Sequence, residues 1–266
     1  MKRKVCIILA CCLGILWGVG AAQADIIAHW TFDNSADIGH DSVGSFNGTP
    51  SASGVSYDSS GVSGGAISLN KSLGGLVNMG DVLNLAGTAY TIAVWVNTTT
   101  AEPDCVMVGK HTATVHQGYI LGVNTSASGD YGVTNKAWFY NDTAHPGPTS
   151  STSVNDGGWH QIVVTRAVSG NASLYVDGGL EATFAMLVPD NGAPLLFGGY
   201  SIAGTPTASY TGSLDDIQFY NTALSGGEIS YLYNHPGQAV PVPPAVWLFG
   251  SGLLGLAGWR YRHRKL

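Results

Sequence analysis

Apolar and polar residues alternate in short runs through the middle of this chain, and clusters of Gly, Asn, Asp, Ser and Pro interrupt them every eight to twelve residues. That spacing predicts many short strands packed as a sandwich. The predicted strands are Ile26–Phe32, Ala66–Leu69, Tyr90–Asn97, Val106–Gly109, Gly118–Val123, Ala137–Asn141, His160–Arg166, Ala172–Val176, Glu181–Met186, Leu195–Gly198 and Gly212–Tyr220. In Tyr90–Asn97, Ile92, Val94 and Val96 share one face and Thr91, Ala93 and Trp95 the other, so both faces carry apolar groups and the strand is central. Asp177-Gly178, between two such runs, predicts a tight hairpin, because both residues tolerate positive φ.

One helix is predicted. Ser225 stands at its N-cap, Glu228 three residues on reaches back to the cap, and Leu224 opposes Ile229 as a hydrophobic staple. Ile229 with Leu232 or Tyr233 then faces the sandwich, and His235-Pro236-Gly237 stops the helix. No tandem repeat divides the stretch 25–237, which predicts one domain.

Two further apolar runs have the length of helices. Lys2, Arg3 and Lys4 precede the run Val5 to Val19, and Ala22-Gln23-Ala24 supplies a small-x-small site, so 1–24 reads as a signal peptide for export. Pro244 to Trp259 forms an uncharged stretch which as a helix reaches roughly 24 Å. A bilayer core of about 30 Å is just spanned with help from Val240 to Pro243 and Tyr261. The basic residues behind it (Arg260, Arg262, Arg264 and Lys265, within a tail of 260–265) stay cytoplasmic by the positive-inside rule. Gly250, Gly252, Gly255 and Gly258 each weaken that helix by about 1 kcal/mol, which suits a transient anchor better than a permanent one.

Val240-Pro-Val-Pro-Pro-Ala-Val-Trp-Leu-Phe-Gly, the glycine-rich apolar stretch and the arginine-rich end together resemble the PEP-CTERM sorting signals of Gram-negative bacteria. The resemblance implies that segment 238–266, with Pro241, Pro243 and Pro244 as its motif, is recognised by an exosortase-type membrane processing enzyme. Val242 stands where that family's motif has Glu. An inner-membrane-anchored precursor is implied, released to the cell surface or extracellular matrix, with membrane contact only through the C-terminal transmembrane helix. A plain C-terminal anchor is the alternative.

Removing the two ends changes the charge. Of eleven Lys and Arg, three lie in the leader and four in the tail, which leaves Lys71, Lys110, Lys136 and Arg166 against all seventeen acids. A body thirteen charges negative argues against nucleic acid or an anionic membrane surface as partner and favours cations or neutral ligands such as glycans. Cys6, Cys11 and Cys12 belong to the leader, so Cys105 has no internal disulfide partner.

A second resemblance rests on six motifs in order: Ala28-His-Trp-Thr-Phe-Asp, Tyr90-Thr-Ile-Ala-Val-Trp-Val, Asp156-Gly-Gly-Trp-His-Gln-Ile-Val-Val-Thr, Ala172-Ser-Leu-Tyr-Val-Asp-Gly, Gly212-Ser-Leu-Asp-Asp-Ile-Gln-Phe-Tyr-Asn, and Thr222-Ala-Leu-Ser with Glu228-Ile. Together they resemble laminin G-like, concanavalin A-like lectin/glucanase domains. The implied fold is all-β, a two-sheet antiparallel jelly-roll sandwich with one short C-terminal helix. Such domains serve as lectins, glycanases and interaction modules, so the fold leaves function open.

Glycoside hydrolysis needs two carboxylates facing each other across a bond. Glucanases of this fold place them as Glu-x-Asp-x-x-Glu, a pattern the chain lacks: Glu102 adjoins a proline, Glu181 follows a turn and Glu228 belongs to the capping box. Asp215 and Asp216 are adjacent, and regular strand geometry sends them to opposite faces. A non-enzymatic protein is therefore expected. The resemblance implies one structural Ca2+ where the first strand meets the last, with Asp33 and Asp215 as ligands and Asp41 and oxygens near Asn47-Gly48 as helpers; oxygen donors from loops suit that ion. His111 and His116 lie five apart with no third ligand near, a poor set for zinc. For a sugar, aromatic rings are wanted. Trp138 and Tyr140 fall on one face of their strand, with Tyr119 and Trp95 as neighbours, although such rings also serve as core. The expected function is an exported matrix or surface protein that binds extracellular polysaccharide. The alternatives are a structural or protein-adhesion module without a sugar site, and an unusual glycoside hydrolase.

Overall fold

The computed structural model describes residues 24–112, 117–124, 134–140, 147–185 and 192–241. The expected leader and the sorting segment beyond Pro241, including Pro243 and Pro244, lie outside them; Pro241 itself is exposed. Among the described residues no helix is long and apolar enough to cross a membrane.

Two sheets form an all-β sandwich. Sheet I runs β13 (Gly179–Ala185), β12 (Asn171–Val176), β11 (Trp159–Arg166), β6 (Tyr90–Asn97), β17 (Gly212–Tyr220), β4 (Ala66–Leu69), β3 (Val55–Asp58). β1 (Ile26–Trp30) also joins β17, beside its C-terminal half, while β4 pairs with its first three residues. Sheet II runs β10 (Thr149–Ser153), β9 (Lys136–Tyr140), β8 (Gln117–Val123), β7 (Cys105–Thr112), β14 (Leu196–Phe197), β5 (Val77–Asn78), β2 (Thr49–Pro50). A hairpin of β15 (Gly199–Ile202) and β16 (Thr205–Ala208) attaches to β7 through Ser201 and Thr112, the single parallel contact of the described pairings.

The alternation read from the sequence fixes the layers. Ile92, Val94 and Val96 of β6 point between the sheets and meet Leu121, Phe139 and Phe197 of sheet II in the main core. Trp30 packs edge-on against Phe197, with ring centres 4.9 Å apart. The other face of β6 contributes Ala93 to a second cluster with Val163 and Tyr220, and there the helix α1 (Gly226–Asn234) lays Ile229 and Leu232 on sheet I. Its capping box is complete: Ser225 Oγ accepts from Glu228 N, and Glu228 reaches back to Ser225 N at 2.7 Å. Leu224 joins Ile229 in the same cluster, as a staple should. Packing continues through Val240, which is buried with them.

Asp177 and Gly178 take φ of 52° and 76°, the turn that lets β12 and β13 pair from Val176 and Gly179 onward. The sandwich is also tied at one open edge. Glu181 on β13 accepts from the backbone and hydroxyl of Ser151 and from the hydroxyl of Thr152 on β10, so the edge strands of the two sheets share a carboxylate. Cys105 is a free buried thiol, pushed up to about 11 by burial.

Candidate functional site

Leu214 and Ile217 of β17 both enter the core although they are three residues apart, an odd spacing that a regular strand cannot achieve. A bulge makes the difference. Asp216 adopts φ of 48°, and the pairing of β17 with β6 shifts register between Asp215 and Gln218. Both aspartates therefore stay out of the core, and the expectation that Asp215 and Asp216 face opposite ways is overturned. The bulge falls in the interval of β17 between its pairing with β4, which ends at Leu214, and its pairing with β1, which begins at Ile217.

Asp215 is fully buried there. Its Oδ2 accepts from Ser63 N at 3.1 Å and its Oδ1 from Asp216 N at 2.7 Å. Burial pushes its carboxyl up to about 8, against the relief of the Ser63 hydrogen bond and with help from the neighbouring Asp216 charge. Asp33, exposed after β1, accepts Gly65 N at 2.8 Å. Asp33 and Asp215 thus hold the same loop, 61–65. Its glycines are required by that approach: a Cβ on Gly61 would meet Asp215 Oδ2 at 2.7 Å, and one on Gly64, at φ of 72°, would collide with Asp33 Oδ1.

Asp41 is not part of this pair. Its Oδ1 accepts from His29 N, Val43 N and Gly44 N at 2.9 to 3.1 Å, and its Oδ2 from Phe46 N at 3.1 Å. Four backbone donors commit it to organising its own turn, and Asn47 Oδ1 serves the same turn by accepting Asp41 N. Among the described residues no group of three His, Cys, Asp or Glu is placed to hold a metal ion. Asp33 and Asp215 are the two carboxylates that border the glycine loop, and carboxylate oxygens are the donors that calcium takes.

Asp216 faces a different set of groups, which the sequence analysis does not bring together. His29 Nε2 lies 2.5 Å from its Oδ1, Gln218 Nε2 donates to the same oxygen at 2.7 Å, and Gly237 N donates to Oδ2 at 2.8 Å. Tyr220 OH donates to Gln218 Oε1 at 2.5 Å and accepts Val240 N at 3.2 Å. The signal that could have found them is local alternation: Ala28, Trp30, Ile217 and Phe219 enter the core, which leaves His29, Gln218 and Tyr220 on the outer face.

The aromatic candidates divide. Trp138 and Tyr140 do share the outer face of sheet II, with Val106, Ile120 and Tyr200. Each is only 5% exposed; Trp138 Nε1 donates to Asn124 O at 2.6 Å, and Tyr140 meets the His111 ring edge-on at 5.1 Å. Gly122 makes room for Trp138, whose Cζ2 lies 2.5 Å from where a Cβ would stand. Tyr119 is one residue out of phase. It points into the main core, where its OH donates to Leu83 O at 3.2 Å, and so it presents no ring to a ligand. Trp95 stacks on Tyr233 of α1 at 5.6 Å and is buried.

The three glutamates are engaged in structural contacts: Glu102 with Lys71, Glu181 with Ser151 and Thr152, Glu228 in the cap. His160 is held between Asp177 Oδ2 at 2.8 Å and Asp156 Oδ1 at 3.1 Å. Burial pulls its imidazole down, but the hydrogen bonds and charges of the two aspartates outweigh it and leave the ring above its ordinary value.

Comparison with known proteins bears on the fold. The family described as Concanavalin A-like lectin/glucanases superfamily (Laminin_G_3) matches residues 71–230. No match is found among curated proteins. Of solved structures, domain 4 of AbnA, a GH43 extracellular arabinanase from Geobacillus stearothermophilus, in complex with arabinotriose, is similar with a TM-score of 0.60 and 18% identity over 79% of this chain and 99% of that one. The binding domain of Paraclostridial Mosquitocidal Protein 1 gives 0.59 and 16% over 79% and 52%. A Trypanosoma rangeli sialidase in complex with 2,3-difluorosialic acid gives 0.55 and 15% over 78% and 32%. The chain thus spans one whole domain of the first, about half of the second and a third of the third.

Proposed function

The chain belongs to the concanavalin A-like lectin/glucanases superfamily, and from that premise we propose that it is a non-catalytic, exported polysaccharide-binding protein. The observation that carries the reading is the disposition of the three glutamates and of the adjacent pair Asp215 and Asp216. Each glutamate is tied into a cap, an ion pair or a sheet-to-sheet link; Asp216 is saturated by His29, Gln218 and Gly237; and Asp215 is closed over by the 61–65 loop. Hydrolysis asks for two carboxyls about 5 to 9.5 Å apart across an open cleft, and these acids are spent on structure instead. The acidic body favours an uncharged glycan. The bound arabinotriose of the arabinanase domain, similar over its whole length, points the same way.

Calcium belongs to this proposal as a structural ion held by Asp33 and Asp215, where it would neutralise a buried carboxylate and fix the loop that crosses the bulge. The leader and the PEP-CTERM-like end support delivery by an exosortase-type enzyme to the cell surface or extracellular matrix of a Gram-negative bacterium. A second reading, adhesion to protein without a sugar site, draws on the burial of Trp138 and Tyr140, which gives sheet II a packed outer cluster where an open aromatic platform was expected.

Depletion of the protein from solution by insoluble neutral polysaccharides, with calcium and with a chelator, tests the proposal. Depletion by at least one glycan supports it; protein left in solution with every glycan, under both conditions, favours the adhesion reading.

A further inference from the structure

An open groove of about 510 Å3 follows the edge of sheet II where β2 pairs with β5, and every residue lining it is uncharged. That volume lies within the roughly 300–1,000 Å3 of small-molecule sites. The lining offers no counter-charge to a ligand of either sign.

The hydrogen-bonding groups of the groove are held in place by their own backbone. Asn78 Oδ1 accepts Gly80 N at 2.8 Å, and Asn47 Oδ1 accepts Asp41 N at 2.9 Å. A backbone N–H can donate only to the oxygen of a carboxamide, so both amides are oriented and each presents its NH2 as the remaining function. Neither Nδ2 has a partner among the described residues. Thr49, directly across from Asn78 in the ladder, is exposed beside them. Leu76 and Met79, 8% and 6% exposed, give the groove an apolar side. Gly80, at φ of 74°, has open space where a Cβ would project, and the reciprocal bonds of Met79 N to Leu195 O and Leu195 N to Gly80 O brace it. Pro50 brings no N–H to this edge, so a further β-strand gains little there. Two fixed amide donors, a hydroxyl and a small apolar surface match the hydroxyls and C–H faces of a sugar.

We propose that this groove is a subsite for a neutral polysaccharide, with Asn47 and Asn78 donating to sugar hydroxyls. It rests on the polysaccharide-binding reading above and gives that binding a place separate from the buried Trp138 and Tyr140 cluster.

Affinity electrophoresis of the full chain through native gels containing arabinan, xylan, mixed-linkage glucan or galactomannan tests it. Asn78→Asp keeps the oxygen that accepts Gly80 N and removes the donor; Thr49→Trp fills the groove without touching that turn. Val168→Ser, at an exposed position on the β11–β12 turn, is the control. Wild type and control should be retarded by at least one of the four gels, and both groove variants should bind it about tenfold more weakly, the loss expected of a hydrogen bond or two. Retardation of both variants equal to wild type overturns the groove and leaves the binding reading standing. Migration of wild type unaffected by all four gels overturns both.

Discussion

His29 Nε2 lies 2.5 Å from Oδ1 of Asp216, which joins the first strand of the sandwich to the bulge of the last by two buried side chains. Asp216 also accepts Gly237 N directly, and the contact continues through Gln218 and Tyr220 to the backbone of Val240, so one polar network fastens both ends of the domain to the outer face of sheet I. Removing either partner leaves the other buried without its counterpart, which costs on the order of 3 kcal/mol. His29→Ala and Asp216→Ala should each lower the urea midpoint accordingly, and the double variant should cost far less than their sum. Additive losses would show that the two groups do not act together.

Much of this architecture is legible in the chain. Tyr90–Asn97 and Gly212–Tyr220 are read with the same bounds that they have in the fold, because both are long, largely apolar runs that the fold buries almost throughout. The Asp177-Gly178 turn and the Ser225–Glu228 cap are equally local, each set by residues within four positions. The losses come where distant contacts decide. β2 and β5 have two residues each and β10 is all Ser and Thr, so none has an apolar period to detect. The bulge at Asp216 depends on the gap between β1 and β4, which no window along the sequence contains. Tyr119 is a candidate ring on the strand beside Trp138, but the cross-strand partner of Trp138 is Gly122, and the odd spacing from Gly122 puts Tyr119 on the opposite side, in the core.

His160 gives the domain a pH dependence with a definite sign. Its folded pKa is raised above the ordinary 6.5, the hydrogen bonds and charges of Asp177 and Asp156 outweighing burial. Stabilisation from this contact is complete below the unfolded value and is lost as pH climbs through the folded one. Melting temperature should therefore decline across that window in wild type, and His160→Gln should lack this component. An increase in the wild-type melting temperature contributed by His160 over the same range would contradict the assignment.

Calcium should separate the two kinds of aspartate. Millimolar calcium should raise the melting temperature of wild type, by about 2.7 kcal/mol of added stability at a hundredfold excess over the dissociation constant. Asp215→Asn should abolish the response. Asp41→Asn, which weakens a turn held by four backbone donors, should lower stability while retaining it. Equal calcium responses in all three proteins would remove Asp215 from the site.

The C-terminal clamp predicts where truncation begins to hurt. Val240 packs with Tyr220, Leu224, Ile229 and Leu232, and full burial of a valine contributes about 1.5 to 3 kcal/mol. A chain ending after Pro241 should match the stability of longer forms, whereas one ending after Pro236 should lose roughly 2 kcal/mol or more. Equal denaturation curves for the two would mean that Gly237 to Val240 contribute nothing to the fold.

Calorimetric titration of the intact protein with each of the four neutral polysaccharides, followed by mass analysis of the recovered glycan, addresses binding and chemistry in one sample. The account predicts a saturable heat with at least one glycan, whose chain length is unchanged after prolonged incubation. Progressive shortening of the glycan, or the absence of heat with all four, contradicts it.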